Sequence, residues 1–265
     1  MDNLHAVYLA LVQGFTEFLP ISSSAHLVLL PKIFGWTDQG LAFDVAVHVG
    51  TLFAVIAYFR HDILRLLGAW LQSCKHRQMS SDAKLVWFVL LGSVPLAIAG
   101  LIFHDDIEIH LRAPLIIAAT TIGFGVLLGI ADLRGRKLRS EESLDYYDVL
   151  WIALAQVLAL IPGTSRSGIT MTAALVLGLT RSAAARFSFL LSIPAILMAG
   201  TYESLKLVQQ PMPVAWGGLL IGAGVAFLSA YLCIRFFMLL IERVGMLPFV
   251  VYRLGLGIFL LVQFY

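Results

Sequence analysis

The chain has 265 residues, 60% of them hydrophobic and only 13% charged, with a mean hydropathy of +0.90. Soluble domains carry about a quarter charged residues, so an ordinary soluble fold is excluded. The formal net charge of +2 and the scattering of Lys and Arg through short loops leave no patch for a nucleic-acid partner.

In chain order, residues 6–35 form the first segment that does not read as a simple span. An apolar run leads to Pro20, then to Ser22, Ser23, Ser24 and His26, then to a second short apolar run. Proline ends a helix by withholding a hydrogen bond and clashing with the preceding turn. Neither half reaches the ~20 residues a spanning helix needs, so the segment reads as a re-entrant helix–loop–helix. Leu41–Phe59 follows as a span carrying Asp44 and His48 one turn apart near its outer end. An interfacial polar pair is the favoured reading there, with extension of a site as the alternative. Residues 60–84 form a basic loop, and Leu85–Phe103 is the next span. Asp105, Asp106 and Glu108, with His104 and His110, read as a solvated outer loop. Ala113–Ala131 spans again, and a basic loop occupies residues 134–139. Residues 149–178 repeat the first pattern, with an apolar run, the cluster Pro162–Thr170 and a second short run. Phe187–Gly200, Val214–Ile234 and Met246–Phe264 complete six spans. Cys74 and Cys233 lack metal spacing and imply no disulfide framework. The start of the chain, with Asp2 and no basic region, does not read as a cleavable signal peptide.

The chain therefore reads as a single all-α membrane domain over residues 1–265, a polytopic bundle of six spans and two re-entrant segments. Ala10-Leu11-Val12-Gln13 matches Ala153-Leu154-Ala155-Gln156, and the Pro-led hydroxyl clusters match after a one-residue gap. This marks a first repeat over residues 1–140 and a second over 141–265. The expected topology puts thirteen Lys and Arg residues on one side, three (Lys32, Arg112 and Lys206) on the other, and Arg166 and Arg253 within the membrane. The basic side should be cytoplasmic, which leaves both termini outside. Three spans between the re-entrant segments invert the second copy. Inverted repeats with broken helices place a site near the midplane, where the breaks meet.

Irregular backbone at membrane depth persists only where protein or a watery cavity surrounds it, and ionisable residues there are costly and usually functional. Gln13 and Glu17, four apart, share a helix face. Glu17 could pair with a buried Arg as a staple, but a role in metal or proton handling is favoured. Pro162–Thr170 reads as an anion cradle. Gly163 lets backbone approach a ligand, while Thr164, Ser165, Ser167 and Thr170 supply hydroxyls. A helix starting near Ser167 attracts anions, and Arg166 supplies a planar cationic fork. The competing reading is a helix-capping turn with Arg166 paired to Glu17. It is not a phosphate-binding loop of the Walker type, since the lysine is absent. His26 at a helix start should be a neutral imidazole, fit to activate a serine or a water, or to protonate a leaving group.

At Gln13–His26 and Pro162–Thr170 the chain resembles the two signature motifs of the bacterial undecaprenyl-diphosphate phosphatase (bacitracin-resistance) family, and the resemblance extends over essentially its whole length. It implies a multi-pass enzyme of the bacterial plasma membrane that hydrolyses undecaprenyl diphosphate to the monophosphate and phosphate, recycling the lipid carrier of cell-wall synthesis. It also implies a divalent cation, magnesium or calcium. Glu17 becomes a catalytic or metal-linked carboxylate, Ser23 a candidate nucleophile, His26 a candidate acid or base, and Arg166 a diphosphate ligand. Gln13, Ser22 and Ser24, with the second cluster, become substrate-binding. Gln13 stands where the motif also admits Glu, which disfavours any two-carboxylate mechanism. Serine and water stay open as nucleophiles, and a homodimer is among the assemblies allowed. The alternative functions are an anion carrier or lipid flippase, since inverted repeats are transporter architecture, and, more remotely, an intramembrane serine protease.

Overall fold

A computed structural model describes residues 3–36, 39–209 and 216–264 of the chain. Eleven α-helices account for nearly all of the described residues, and no strand occurs among them. Among the described residues six helices are long and apolar enough to cross a bilayer, which fixes the class as an all-α multi-pass bundle.

The first segment is two helices, α1 (Asn3–Phe18) and α2 (Ser23–Phe34), separated by a turn through Pro20. The span α3 (Leu41–Tyr58) is followed almost directly by α4 (Arg60–His76). The segment expected to be a basic loop is thus largely helical. It is amphipathic and on average slightly hydrophilic, so a search for apolar runs passes over it. The span α5 (Ser81–His110) begins with an N-cap, Ser80 accepting from the Ala83 N–H at 3.2 Å, of a kind that contributes about 1 kcal/mol. Its 30 residues would extend about 45 Å, longer than a bilayer core. Residues 104–110, expected as a solvated outer loop, are instead the C-terminal turns of α5, while the side chains of His104, Asp105, Asp106 and Glu108 lie outside the described residues. The span α6 (Pro114–Arg134) starts with proline at its first position, where a missing N–H costs nothing.

The second broken segment consists of α7 (Tyr146–Val157), a 3-10 turn and α8 (Arg166–Val176). A reciprocal capping box between Asp145 and Asp148 starts α7. The spans α9 (Arg181–Gln209), α10 (Trp216–Val244) and α11 (Leu247–Phe264) close the chain. The most enclosed span is α9, flanked by α3, α5 and α8. Around it Phe18, Phe59, Phe187, Phe189 and Phe237 form an aromatic core. Outward-facing Leu101, Leu220, Leu239 and Val262 are more than 60% exposed, the pattern of a bundle solvated by lipid.

One end of the bundle carries a group of ion pairs. Arg181 forms a fork on Asp132 at 2.6 and 3.0 Å, and Lys137 joins the same carboxylate at 3.3 Å. Arg186 pairs with Glu141 and with Asp62, the latter at 3.2 Å. Arg139 holds Asp148 at 2.5 and 3.1 Å, and that hydrogen-bonded partner lifts the guanidinium above its ordinary value. All four basic residues belong to the set expected on the cytoplasmic side.

Candidate functional site

The two chain breaks meet inside the bundle. Ser167 Oγ donates to the Leu19 carbonyl at 2.9 Å, so a hydroxyl of the second break closes the turn of the first. The breaks share a backbone form. Ser22 (φ 72°) and Ser165 (φ 69°) are both in the left-handed region, which is unfavourable for a side chain and is typically held at functional sites by the surrounding structure. Each precedes its helix by one residue. Ser22 and Ser24 hydroxyls lie 3.2 Å apart, and Ser165 and Ser167 hydroxyls also lie 3.2 Å apart. Aligning on these serines places Gln13 opposite Gln156 without the gap that aligning on the prolines required.

Arg253 on α11 holds the two breaks together. It is fully buried, and its guanidinium donates only to backbone carbonyls: Pro20 at 3.2 Å, Thr164 at 2.9 Å, Gly163 at 2.9 Å, Thr121 at 3.0 Å and Thr120 at 3.4 Å. A planar five-donor fork is the side chain that can serve carbonyls in several directions. Gly163, at φ 90°, presses against α6, where a Cβ would stand 2.2 Å from Thr120 Oγ1. That close approach explains why glycine is required there.

The chemistry gathers around Glu17. Its Oε2 accepts from Ser23 Oγ at 2.7 Å and from Gln13 Nε2 at 3.0 Å. Its Oε1 accepts from Arg166 Nη2 at 3.2 Å, and Arg166 Nη1 donates to the Ser188 carbonyl at 3.1 Å. His48 Nε2 lies 3.8 Å from Glu17 Oε2. Asp44 and His48, read from sequence as an interfacial pair, therefore stand on the wall of the site. The alternative reading, extension of the site, is the one that holds; the sequence favours the interfacial reading because α3 approaches α1 only in three dimensions.

These groups line a cavity of about 710 Å³. Glu17, Ser22, Ser23, Ser24, Ser165 and Arg166 face it, as do Asp44 and His48. Lys32, Arg112 and Glu203 also belong to its lining. The other expected site residues stand behind this surface. Gln13 supports Glu17. Gly163 and Thr164 present their carbonyls to Arg253. Thr170 Oγ1 hydrogen-bonds the Arg166 carbonyl at 2.8 Å and Ser188 Oγ at 2.7 Å. His26 is hydrogen-bonded within the wall: Nδ1 is 2.7 Å from the Ser22 carbonyl and Nε2 is 2.5 Å from Tyr252 Oη. Tyr252 and Arg253 were not assigned roles from sequence. The one available signal was a lone Arg inside an apolar run, with no way to name its distant carbonyl partners.

A proton acceptor touching a hydroxyl, beside a fixed cation and within a cavity, is the arrangement of an activated nucleophile facing an anionic substrate. A divalent cation fits part of this set. Gln13 Oε1 is buried without a hydrogen-bond partner, next to the Glu17 carboxylate. One carboxylate and one neutral oxygen leave the remaining positions to phosphate oxygens and water, as magnesium prefers.

The sequence matches the family described as Bacitracin resistance protein BacA over residues 6–259. An undecaprenyl-diphosphatase of Thioalkalivibrio sulfidiphilus is 58% identical over 266 residues, covering 100% of both chains. An undecaprenyl-diphosphatase of Nitrosococcus oceani is 55% identical, again over 100% of both. Undecaprenyl-diphosphatase 1 of Pseudoalteromonas translucida is 54% identical over 99% of this chain and 98% of its own. With both breaks, the Glu17 cluster and nearly the whole chain inside the match, this protein belongs to the bacitracin resistance protein family.

Proposed function

We propose that this chain is a phosphatase of the bacterial plasma membrane that hydrolyses undecaprenyl diphosphate to undecaprenyl phosphate and inorganic phosphate. The observation that carries this reading is the 2.7 Å hydrogen bond from Ser23 Oγ to Glu17, with Arg166 beside it in the cavity. A carrier has no need for a serine paired with a buried base.

In the proposed reaction Glu17 takes the Ser23 proton as Oγ bonds the terminal phosphorus. The bond from that phosphorus to the bridging oxygen breaks, and undecaprenyl phosphate leaves. Water then attacks the seryl phosphate, releasing inorganic phosphate and restoring the hydroxyl. Arg166 turns from Glu17 toward the phosphoryl oxygens and stabilises their charge, which is most of what phosphoryl transfer requires. Glu17 and Gln13 would hold the divalent cation, which would neutralise phosphate charge when bound. The lipid tail has a matching surface. A second, apolar cavity of about 580 Å³ shares Leu96, Leu160, Ala195 and Ala199 with the first and continues between α5 and α9.

The architecture in this reading is a pair of inverted repeats, residues 1–140 and 141–265, with two re-entrant segments and both termini outside. The matching serines at the two breaks support it. So do the equivalent neighbours, α1 packing on α10 and α7 on α5.

Phosphate release from a prenyl diphosphate by purified protein in detergent tests the function. Activity that persists in Ser23→Ala would sink the nucleophile assignment, and trapping of phosphoserine at Ser23 is the expected positive result. Activity unaffected by a chelator would remove the cation.

A further inference from the structure

We infer that His26 is a positioning residue, locked by Tyr252, that acts on the reaction through the backbone of Ser22 rather than by moving a proton at phosphorus. The inference rests on the Ser23–Glu17 reading of the site.

The geometry of the imidazole carries it. A backbone carbonyl only accepts, so the 2.7 Å contact to Ser22 O requires the proton on Nδ1. In the neutral ring Nε2 is then an acceptor, and Tyr252 Oη at 2.5 Å is its donor. Both ring nitrogens are thereby occupied within the wall. The ring is 8% exposed and stacks against Tyr252 at 5.7 Å between centroids, with planes 13° apart. It does not line the cavity that holds Glu17, Ser23 and Arg166. Ser23 Oγ donates to Glu17 and makes no hydrogen bond to His26 among the described residues.

What His26 does hold is the strained residue. Ser22 has φ 72° and makes no side-chain cap to α2, so its conformation needs outside support. The His26 Nδ1–H fixes its carbonyl four residues back, and the next residue is the nucleophile. The direction of the Ser23 side chain, and hence its 2.7 Å reach to Glu17, depends on that carbonyl. The other break needs no such ring. Ser165 is braced by its own Oγ, which accepts from the Gly168 N–H at 3.1 Å, and Ile169 stands where His26 would be. The imidazole thus braces Ser22 through its carbonyl, where Ser165 is braced through its own side chain.

His26→Asn discriminates between the two roles, because the Asn amide nitrogen can occupy the place of Nδ1 but cannot carry a proton to a leaving group. Steady-state phosphate release from a prenyl diphosphate in detergent is measured for wild type, His26→Asn, His26→Ala and Tyr252→Phe, with thermal midpoints as a folding control. A positioning role predicts His26→Asn within about tenfold of wild-type kcat, and His26→Ala at least about 100-fold below it, both with nearly unchanged KM. An Asn variant as inactive as the Ala variant overturns the inference. Tyr252→Phe decides independently if His26→Asn does not fold. Positioning predicts a fall in kcat of about fivefold, the size of one lost hydrogen bond, whereas a proton-transfer role predicts unchanged or raised kcat because Nε2 is freed. The Ser23→Ala control separates this outcome from failure of the site itself: a fully active Ser23→Ala sinks the site reading whatever the His26 variants do.

Discussion

The two breaks have nearly the same backbone and opposite chemistry. Each has a left-handed serine before a half-helix, a pair of hydroxyls 3.2 Å apart and a buried glutamine nine residues upstream. Glu17, Ser23 and His26 in the first stand opposite Leu160, Arg166 and Ile169 in the second. The first break therefore supplies a carboxylate, a hydroxyl and an imidazole, and the second a guanidinium. The difference teaches that the scaffold and the reaction are separable, because a shared backbone turn has been given different side chains at a few facing positions.

The largest expected effect tests the division of labour at its centre. Glu17→Ala should lower phosphate release at least about a thousandfold, since it removes the proton acceptor and leaves Arg166 buried without its carboxylate. Arg166→Ala should fall comparably, while Arg166→Lys keeps the charge but loses the planar fork and should recover only part. Equal activity in Arg166→Lys and wild type would show that charge alone suffices. Next come the glutamines, which look alike and should not behave alike. Gln13→Leu removes the donor to Glu17 and should cost about ten- to a hundredfold in kcat, with a raised requirement for added cation. Gln156 Nε2 instead donates to the Gly92 carbonyl at 3.1 Å, so Gln156→Leu should lower the thermal midpoint and spare kcat. Matching losses in both assays for the two variants would break the comparison. The smallest effect concerns the caps. Ser165→Ala removes a side-chain cap and should cost about 1 kcal/mol in unfolding measurements, whereas Ser22 caps nothing and Ser22→Ala should cost only a few tenths.

Much of this was legible in the sequence. The six spans stand out because lipid demands long apolar runs, and the breaks stand out because Pro and hydroxyl clusters interrupt them. Glu17, His26 and Arg166 could be singled out as ionisable groups at membrane depth, and Ser23 among its neighbouring hydroxyls only through the family resemblance. Helix α4 escaped because it is amphipathic and rich in charge, which a hydropathy reading takes for a loop. His48 read as interfacial and Tyr252 escaped altogether, because their positions on α3 and α11 gain meaning only when those helices pack beside the first break. Arg253 was visible as an anomaly, but carbonyl oxygens on two loops leave no trace in composition.

The clasp made by Tyr252 and Arg253 has a consequence in time. Both breaks lie in the first two thirds of the chain, yet the side chains that bind them come from the last helix. A nascent chain that has inserted everything up to Gly245 possesses Glu17, Ser23 and Arg166 and the direct Ser167–Leu19 and Arg166–Glu17 contacts between the breaks, but not the guanidinium that ties their carbonyls together. A chain truncated after Gly245 should therefore insert into the membrane yet release phosphate at a much reduced rate, a state that co-expression of α11 as a separate peptide should reverse.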